Sequence, residues 1–324
     1  MKPFSYATAL SPESARQLAS SSKHGAYLAG GNDLLGLLKE GLVEADLLVN
    51  VKALPGLGKI EQSGAGWSIG ALATVAQVEK HPGLKAAFPG LAAAAAEVAS
   101  PQIRNVATVG GNLAQHSRCW YFRHRDTLCL KKGGDHCFAR NGENRYHTLF
   151  TGNPCVSPMV SSLAVAFAAL DAVAVVVREG KELRWSMADF YHRAWENPLT
   201  HHSLEPGDLV VRVEVPLLRT RSAYLQASEK HAFDWALVSC AAATGIDGGK
   251  MKGPRIALGS ISPMPHQAEA ANTFLEGKPL ALDDATATQA ADLLLKEAQP
   301  LEHNGYKVPI ALALVRRALL QLQS

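Results

Sequence analysis

Charge of one sign, aromatic rings and long apolar runs are all scarce in this 324-residue chain. The net charge is +3 and charged residues make up 19%. The first is too mild for a nucleic-acid binder, and the second excludes a supercharged, disordered chain. The most hydrophobic stretch, residues 159–177, is broken by Ser161, Ser162 and Asp171. An Asp at bilayer depth costs about 2.5–3.5 kcal/mol, so the stretch reads as a buried helix running into a buried strand, without membrane insertion. The opening Met-Lys-Pro-Phe-Ser-Tyr has no apolar run of signal-peptide length. The expected location is the cytoplasm, or the periplasm only if a partner with its own export signal carries the chain there. Five cysteines are too few, and odd in number, for a secreted disulfide scaffold. A G-x-G-x-x-G turn is missing, which disfavours a Rossmann dehydrogenase, and no solenoid period is visible.

Apolar residues reach 47%, enough for a sizeable core, and the length suggests two domains. The pattern predicts a βαβ-like opening, with a helix from the Ser11-Pro12 cap to residue 20, a strand over 24–28, a helix over 34–40 and a strand over 47–51. A strand over 67–70 and helices over 74–80 and 84–99 follow, the last ending before Pro101. Residues 101–154 then read as one long irregular stretch, of the kind that carries function inside a compact domain. A helix over 160–169, a strand over 173–177 and a β-branched strand over 209–215 come next. After a composition shift near residue 218, strands over 223–228, 236–244 and 255–261 precede helices over 267–275, 283–297 and 308–322. Strands followed by helices suggest an α+β layer with helices on one face.

Four of the five cysteines, Cys119, Cys129, Cys137 and Cys155, fall in 37 residues, where even scatter would put about half a cysteine. Their spacing fits neither a C-x-x-C zinc pair nor a ferredoxin run, yet a long loop can fold four thiolates around a metal or cluster. Seven Lys and Arg between His116 and His147 favour thiolate over thiol and offset the charge of a ligated cluster. Trp120, Tyr121 and Phe122 supply cover against water, and Gly133-Gly134 allows a tight turn. On the residues alone, an iron–sulfur cluster and a zinc site stand level. Four unrelated buried thiols is the weaker alternative, because the loop is too polar and basic for a core. The histidines at 116, 124, 136 and 147 read as solvated or as neighbours of the ligands. Cys240, in the apolar run 237–242, reads as a small packed hydrophobe.

Gly30-Gly31-Asn32 recurs as Gly110-Gly111-Asn112. In each, successive backbone N–H groups can face one centre and no Cβ blocks approach, a geometry suited to a dinucleotide pyrophosphate. Tyr-Leu-Ala-Gly-Gly-Asn-Asp-Leu-Leu (27–35) and Gln-Ile-Arg-Asn-Val-Ala-Thr-Val-Gly-Gly-Asn-Leu-Ala (102–114) resemble the two FAD-binding loops of the medium subunits of molybdenum hydroxylases, the family of xanthine dehydrogenase and carbon monoxide dehydrogenase. The resemblance runs over nearly the whole chain, including Pro206-Gly207-Asp208. It implies a vanillyl-alcohol-oxidase-like (PCMH-type) FAD domain over 1–217 and a smaller C-terminal α/β layer domain over 218–324. It also implies that Leu28, Ala29, Gly30, Gly31, Asn32, Asp33, Leu34, Thr108, Gly110, Gly111, Asn112, Ser162 and Gln226 bind FAD.

Most members pass directly from the second loop to the next helix. Here a cysteine-bearing insertion, 115–156, intervenes, similar to the flavin subunits of certain bacterial aldehyde oxidoreductases and of 4-hydroxybenzoyl-CoA reductase. Both hold a 4Fe–4S cluster in such a loop, which implies Cys119, Cys129, Cys137 and Cys155 as ligands. Arg118-Cys119-Trp120-Tyr121-Phe122-Arg123 looks closer to the aldehyde oxidoreductase type. Two positions depart from the family pattern. Ser162 stands where relatives often place an Asp toward the ribityl chain, and Gln226 stands where they often place a Lys near the flavin, with Lys230 further on. Loss of that positive charge should lower the flavin potential.

The resemblance thus implies an electron-transfer subunit, with substrate oxidised at molybdenum on another chain. One 4Fe–4S cluster uses four of the five cysteines, so the 2Fe–2S centres and the molybdenum cofactor must come from a 2Fe–2S subunit and a molybdenum subunit. The alternatives are a 4-hydroxybenzoyl-CoA reductase-type reductive subunit, a self-contained flavin oxidase of the same broad fold, and a zinc-bearing basic interaction module supported only by the loop 116–147.

Overall fold

The computed structural model describes residues 1–230 and 232–323. A small parallel sheet opens the chain, from β1 (Ser5–Thr8), β2 (Gly25–Leu28) and β3 (Leu47–Asn50) in the order β1-β3-β2. The helix Pro12–Ser20 crosses between β1 and β2, capped by Ser11 in a capping box with Ser14. An antiparallel five-stranded sheet follows, from β4 (Ile60–Ser63), β5 (Gly66–Gly70), β6 (Val173–Arg178), β7 (Lys181–Ser186) and β8 (Leu209–Pro216) in the order β4-β5-β8-β6-β7. A third sheet, from β9 (Arg221–Ala227), β10 (Val238–Asp247) and β11 (Lys250–Gly259), lies antiparallel in the order β11-β10-β9. The helices Glu269–Leu275, Asp284–Leu295 and Lys307–Gln321 cover it, their buried Ala and Leu meeting Cys240, Ile256 and Leu258.

The centre of the five-stranded sheet is buried on both faces, which is why β6 and the start of β8, Leu209 to Val211, read as continuous apolar runs, whereas Arg212 and Glu214 alternate with valines in the rest of β8. Val175, Leu209 and Val211 face the parallel sheet. Ala174, Val176, Val210 and Val213 face the main core around the helix Ser162–Ala169, which is apolar from Leu163 onward. That core also takes in Tyr224, Ala241 and Ala257, so apolar packing is continuous across residue 218.

The structure departs from the sequence expectations in several places. The helix expected over 84–99 is broken into Pro82–Ala87 and Pro89–Ala96. Phe88 takes φ −140° ahead of Pro89, whose ring and missing N–H bar a continuous helix. The stretch 101–154 holds three short α-helices, Pro101–Arg104, Val109–Leu113 and Trp120–Arg123, and one 3-10 turn, Leu130–Lys132. Three strands went unread: β1 and β4, which are short and largely exposed, and β7, rich in charge. The helix Met187–Glu196 went unread too, although Ser186 and Asp189 form its capping box. Among the described residues no helix is long and apolar enough to cross a membrane.

Candidate functional site

The two glycine loops meet across one cavity of about 670 Å³, within the usual 300–1,000 Å³ of small-molecule and cofactor sites. The parallel sheet delivers the first loop at the end of β2. Gly30 is required by the second loop, since a Cβ there would stand 2.2 Å from the Val106 carbonyl oxygen. Gly31 is required by its own backbone, at φ +74°. Asn32 Nδ2 donates to Ile103 O at 3.4 Å, a second tie between the loops.

The second loop is moored to the chain leaving β5. Val75 N donates to Ala107 O, Val109 N to Ala73 O and Gly110 N to Ala71 O, at 2.8–2.9 Å. Thr108 caps the turn, its Oγ1 accepting from Gly111 N at 3.2 Å. Gly110 packs on Ala71, whereas Gly111 would meet only Thr108 Oγ1. Asn112 is buried and accepts from Ser161 Oγ at 2.6 Å.

Of the thirteen residues expected around a flavin, Ala29, Gly30, Gly31, Asn32, Asp33, Leu34, Thr108, Gly111, Asn112, Ser162 and Gln226 line this cavity. Leu28 packs instead toward Leu38, Ala45 and Leu48, and Gly110 faces Ala71. The two departures from the family pattern are joined. Tyr224 is hydrogen-bonded to Ser162 and donates to Gln226 Oε1 at 3.1 Å, and Gln226 Nε2 donates to Glu97 Oε2 at 3.0 Å. Glu97 lines the cavity, as do His116, Arg118, His202 and Trp235. Sequence reasoning passed over all five for the cavity. Arg118 lies over the Trp235 ring, 4.4 Å from its centroid, a contact between residues 117 positions apart.

Asp33 sits in the first loop, but its carboxylate is turned to the cysteine segment. It pairs with Arg118 Nη1 at 2.8 Å and Arg123 Nη2 at 2.7 Å, and accepts from His116 N at 2.8 Å. Burial alone would raise its pKa, but His116, Arg118 and Arg123 outweigh burial and hold the carboxyl well below its ordinary range.

Cys119, Cys129, Cys137 and Cys155 line a single small space, walled by Tyr121, Phe122, Leu130, Phe138, His147 and Ser157. None forms a disulfide. Burial pushes the Cys119 thiol up to about 11. The interaction between Cys137 and Cys155 draws the Cys137 pKa down and, together with burial, pushes the Cys155 pKa up. Lys131 is buried beside all four sulfurs and donates to Thr200 O at 2.7 Å. Burial lowers its pKa while the sulfurs oppose the shift. The space is narrow, about 10 Å³. Among the described residues, no three His, Cys, Asp or Glu side chains gather closely enough to hold a metal ion. The fifth thiol, Cys240, is fully buried in β10 among apolar neighbours, away from this ring.

The two spaces are close along the chain. Gln115, His116 and Arg118 line the large cavity and Cys119 lines the small one. Between them, the His201 ring lies 4.2 Å from His116 and 4.9 Å from Phe122, centroid to centroid. Burial pushes His202 down to about 3 and His201 well below the ordinary imidazole value, so both are neutral.

Comparison with known proteins identifies the family of the chain. Residues 2–218 match the family described as FAD binding domain in molybdopterin dehydrogenase, and residues 222–322 match the CO dehydrogenase flavoprotein C-terminal domain. The chain is 34% identical over 316 residues to the aldehyde oxidoreductase FAD-binding subunit PaoB of Escherichia coli, covering 96% of this chain and 95% of that one. It is 28% identical to the carbon monoxide dehydrogenase medium chain of Hydrogenophaga pseudoflava, covering 94% and 90%. Among solved structures, quinoline 2-oxidoreductase from Pseudomonas putida 86 superimposes with TM-score 0.76 at 26% identity, covering 100% of this chain and 98% of that one.

Proposed function

The chain belongs to the FAD-binding medium subunits of the molybdenum hydroxylases, and from that premise we propose that it carries FAD and a 4Fe–4S cluster and passes electrons within an aldehyde-oxidising complex. In this reading residues 1–217, with the loop 115–156, form the flavin-binding unit, and 218–324 complete the chain. A 2Fe–2S subunit and a molybdenum subunit supply the remaining centres. The aldehyde assignment rests on the likeness to PaoB over almost the full length of both chains.

The observation that carries the cluster is the convergence of four free thiols, spread over 37 residues of sequence, on one space beside the flavin cavity. Cys119, Cys129, Cys137 and Cys155 are the residues that would hold a polynuclear group, each through one thiolate. The cavity residues fit the flavin through the close backbone approach of the two loops and the polar edge of Thr108, Asn112, Ser162 and Gln226.

FAD supplies the exchange between two-electron and one-electron traffic, and the cluster supplies a one-electron relay. The chain's own residues bind and shield these groups. The glycine loops admit the dinucleotide, and the Asp33–Arg118–Arg123 clamp ties the first loop to the segment bearing Cys119. Neutral His201 and His202 and the ring of Phe122 keep water from the gap between the sites.

An ultraviolet–visible spectrum with iron, sulfide and flavin counts on the purified chain tests the reading, and co-purification from the native host tests the partners. The isolated chain should be reduced by dithionite and should not oxidise aldehydes. Zinc in place of iron, or turnover of an organic substrate by this chain alone, would overturn it.

A further inference from the structure

One polar side chain in the wall of the thiol ring is buried with a ring nitrogen unpaired. His147 is 2% exposed, and its Nε2 lies 3.1 Å from Cys119 Sγ. Its Nδ1 is buried without a hydrogen-bond partner. Trp120 and Tyr121 wall the ring at centroid distances of 5.7 and 6.2 Å. The backbone behind it is fixed from two directions. Its N–H donates to Asn144 O at 2.9 Å, while its carbonyl accepts from Lys307 Nζ at 3.0 Å and Asn304 Nδ2 at 3.2 Å. Lys307 is itself fully buried and also donates to Tyr146 O and Ser260 O. Lys307, at the start of the last helix, and Asn304, in the turn before it, therefore hold this imidazole against a cysteine sulfur.

Packing alone gives no reason for a histidine here. A buried polar atom left unpaired costs about 1–3 kcal/mol, and an apolar side chain would fill an aromatic-walled niche without that cost. The sulfur supplies the reason. A ligating cysteine is a thiolate and only accepts, which fixes the imidazole proton on Nε2. Nδ1 then carries a lone pair rather than an N–H, and that is the nitrogen without a partner.

We propose that His147 is a positioning residue for the cluster, donating Nε2–H to the Cys119 thiolate and raising the cluster's reduction potential. The inference rests on the 4Fe–4S reading above. A hydrogen bond to a ligating sulfur draws off negative charge and favours the more electron-rich state of the cluster.

The test uses the full chain loaded with flavin and cluster. His147→Leu should keep iron, sulfide and the flavin potential. It should lower the cluster's reduced-to-oxidised ratio at a fixed potential about tenfold, or ~59 mV for one electron. His147→Gln, which retains an N–H donor, should recover most of that shift. Wild-type protein labelled with nitrogen-15 histidine should show a weak nitrogen coupling to the reduced cluster in electron paramagnetic resonance, and this measurement decides the matter if His147→Leu loses iron. An unmoved cluster potential, or no nitrogen coupling, overturns the role of His147 while leaving the cluster in place. A strong coupling, with full iron in Cys119→Ser, overturns it in favour of His147 as a ligand. Absence of iron and sulfide from the wild type removes the cluster reading itself.

Discussion

The flavin cavity and the thiol ring adjoin in the chain at Arg118 and Cys119, yet the chain builds them by different means. The cavity is walled by the ends of strands and helices, and its two glycine loops are fastened by backbone bonds to the chain leaving β5. It stands open at about 670 Å³. The thiol ring sits in a stretch with little regular structure, fastened mainly by side chains reaching backbone carbonyls. Arg140 holds Thr151, Asn153 and Pro154, and Lys307 and Asn304 hold residues 146–148. Its open space is about 10 Å³. A site on regular elements is preorganised, whereas a site in irregular chain is completed by what it binds, so the proposed cluster would there add its binding energy to local folding.

The largest expected effect is at Gly30. Gly30→Val drives a side chain into the Val106 backbone, and should cost about 3 kcal/mol by overpacking and abolish flavin binding. Gly31→Val should also lose flavin, since a branched residue at φ +74° costs about 1–3 kcal/mol. Gly111→Val should leave the melting temperature nearly unchanged and act only on flavin content. Equal melting losses in Gly30→Val and Gly111→Val would contradict the picture of two loops built for different reasons.

Next come the thiols. Serine at Cys119, Cys129, Cys137 or Cys155 should lose or weaken iron and expose 115–156 to limited proteolysis, with flavin largely retained. Cys240→Ser should keep its iron. If Cys240→Ser alone emptied the site, the ligand assignment would fail.

Asp33→Asn joins the two regions. Removing its charge leaves Arg118 and Arg123 largely buried without a counter-charge, at a cost of about 3 kcal/mol. The Asp33 pKa is depressed in the folded chain, so its contribution is present above the unfolded carboxyl value near 4 and is lost as pH falls toward the folded value. Acid unfolding of the wild type should therefore steepen below about pH 4, and Asp33→Asn should lack that limb. Identical acid profiles would remove the clamp. The smallest effect is at Gln226. Gln226→Lys should raise the flavin midpoint potential modestly by placing a cation beside Glu97 in the cavity wall, and a fall in that potential would count against the placement.

Much of the scaffold was legible locally. Ser11, Thr74 and Asp283 announce helix starts, and β10 and β11 read as apolar or β-branched runs. β1 and β4 were not legible, because edge and surface strands bury too little to leave an apolar period. The helix break at Phe88-Pro89 was readable from the proline, but the alanine-rich run around it masked the signal. The cysteine window and the paired Gly-Gly-Asn loops stood out because each concentrates chemistry in a few consecutive residues. Glu97, His202 and Trp235 gave no such signal, since each is an ordinary residue in its own segment.

The sequence by itself determined which residues carry the chemistry: two glycine loops, four clustered thiols, and a basic stretch around them. Tertiary structure decided what each of them touches. Asp33 meets Arg118 and Arg123 some ninety residues away, Gln226 meets Glu97, and Lys307 from the C-terminal helix holds the carbonyl of His147. Local composition sets backbone preference and chemical type, because those depend on a residue and its near neighbours. Partners this far apart in the chain are chosen by the packing of three sheets and their helices.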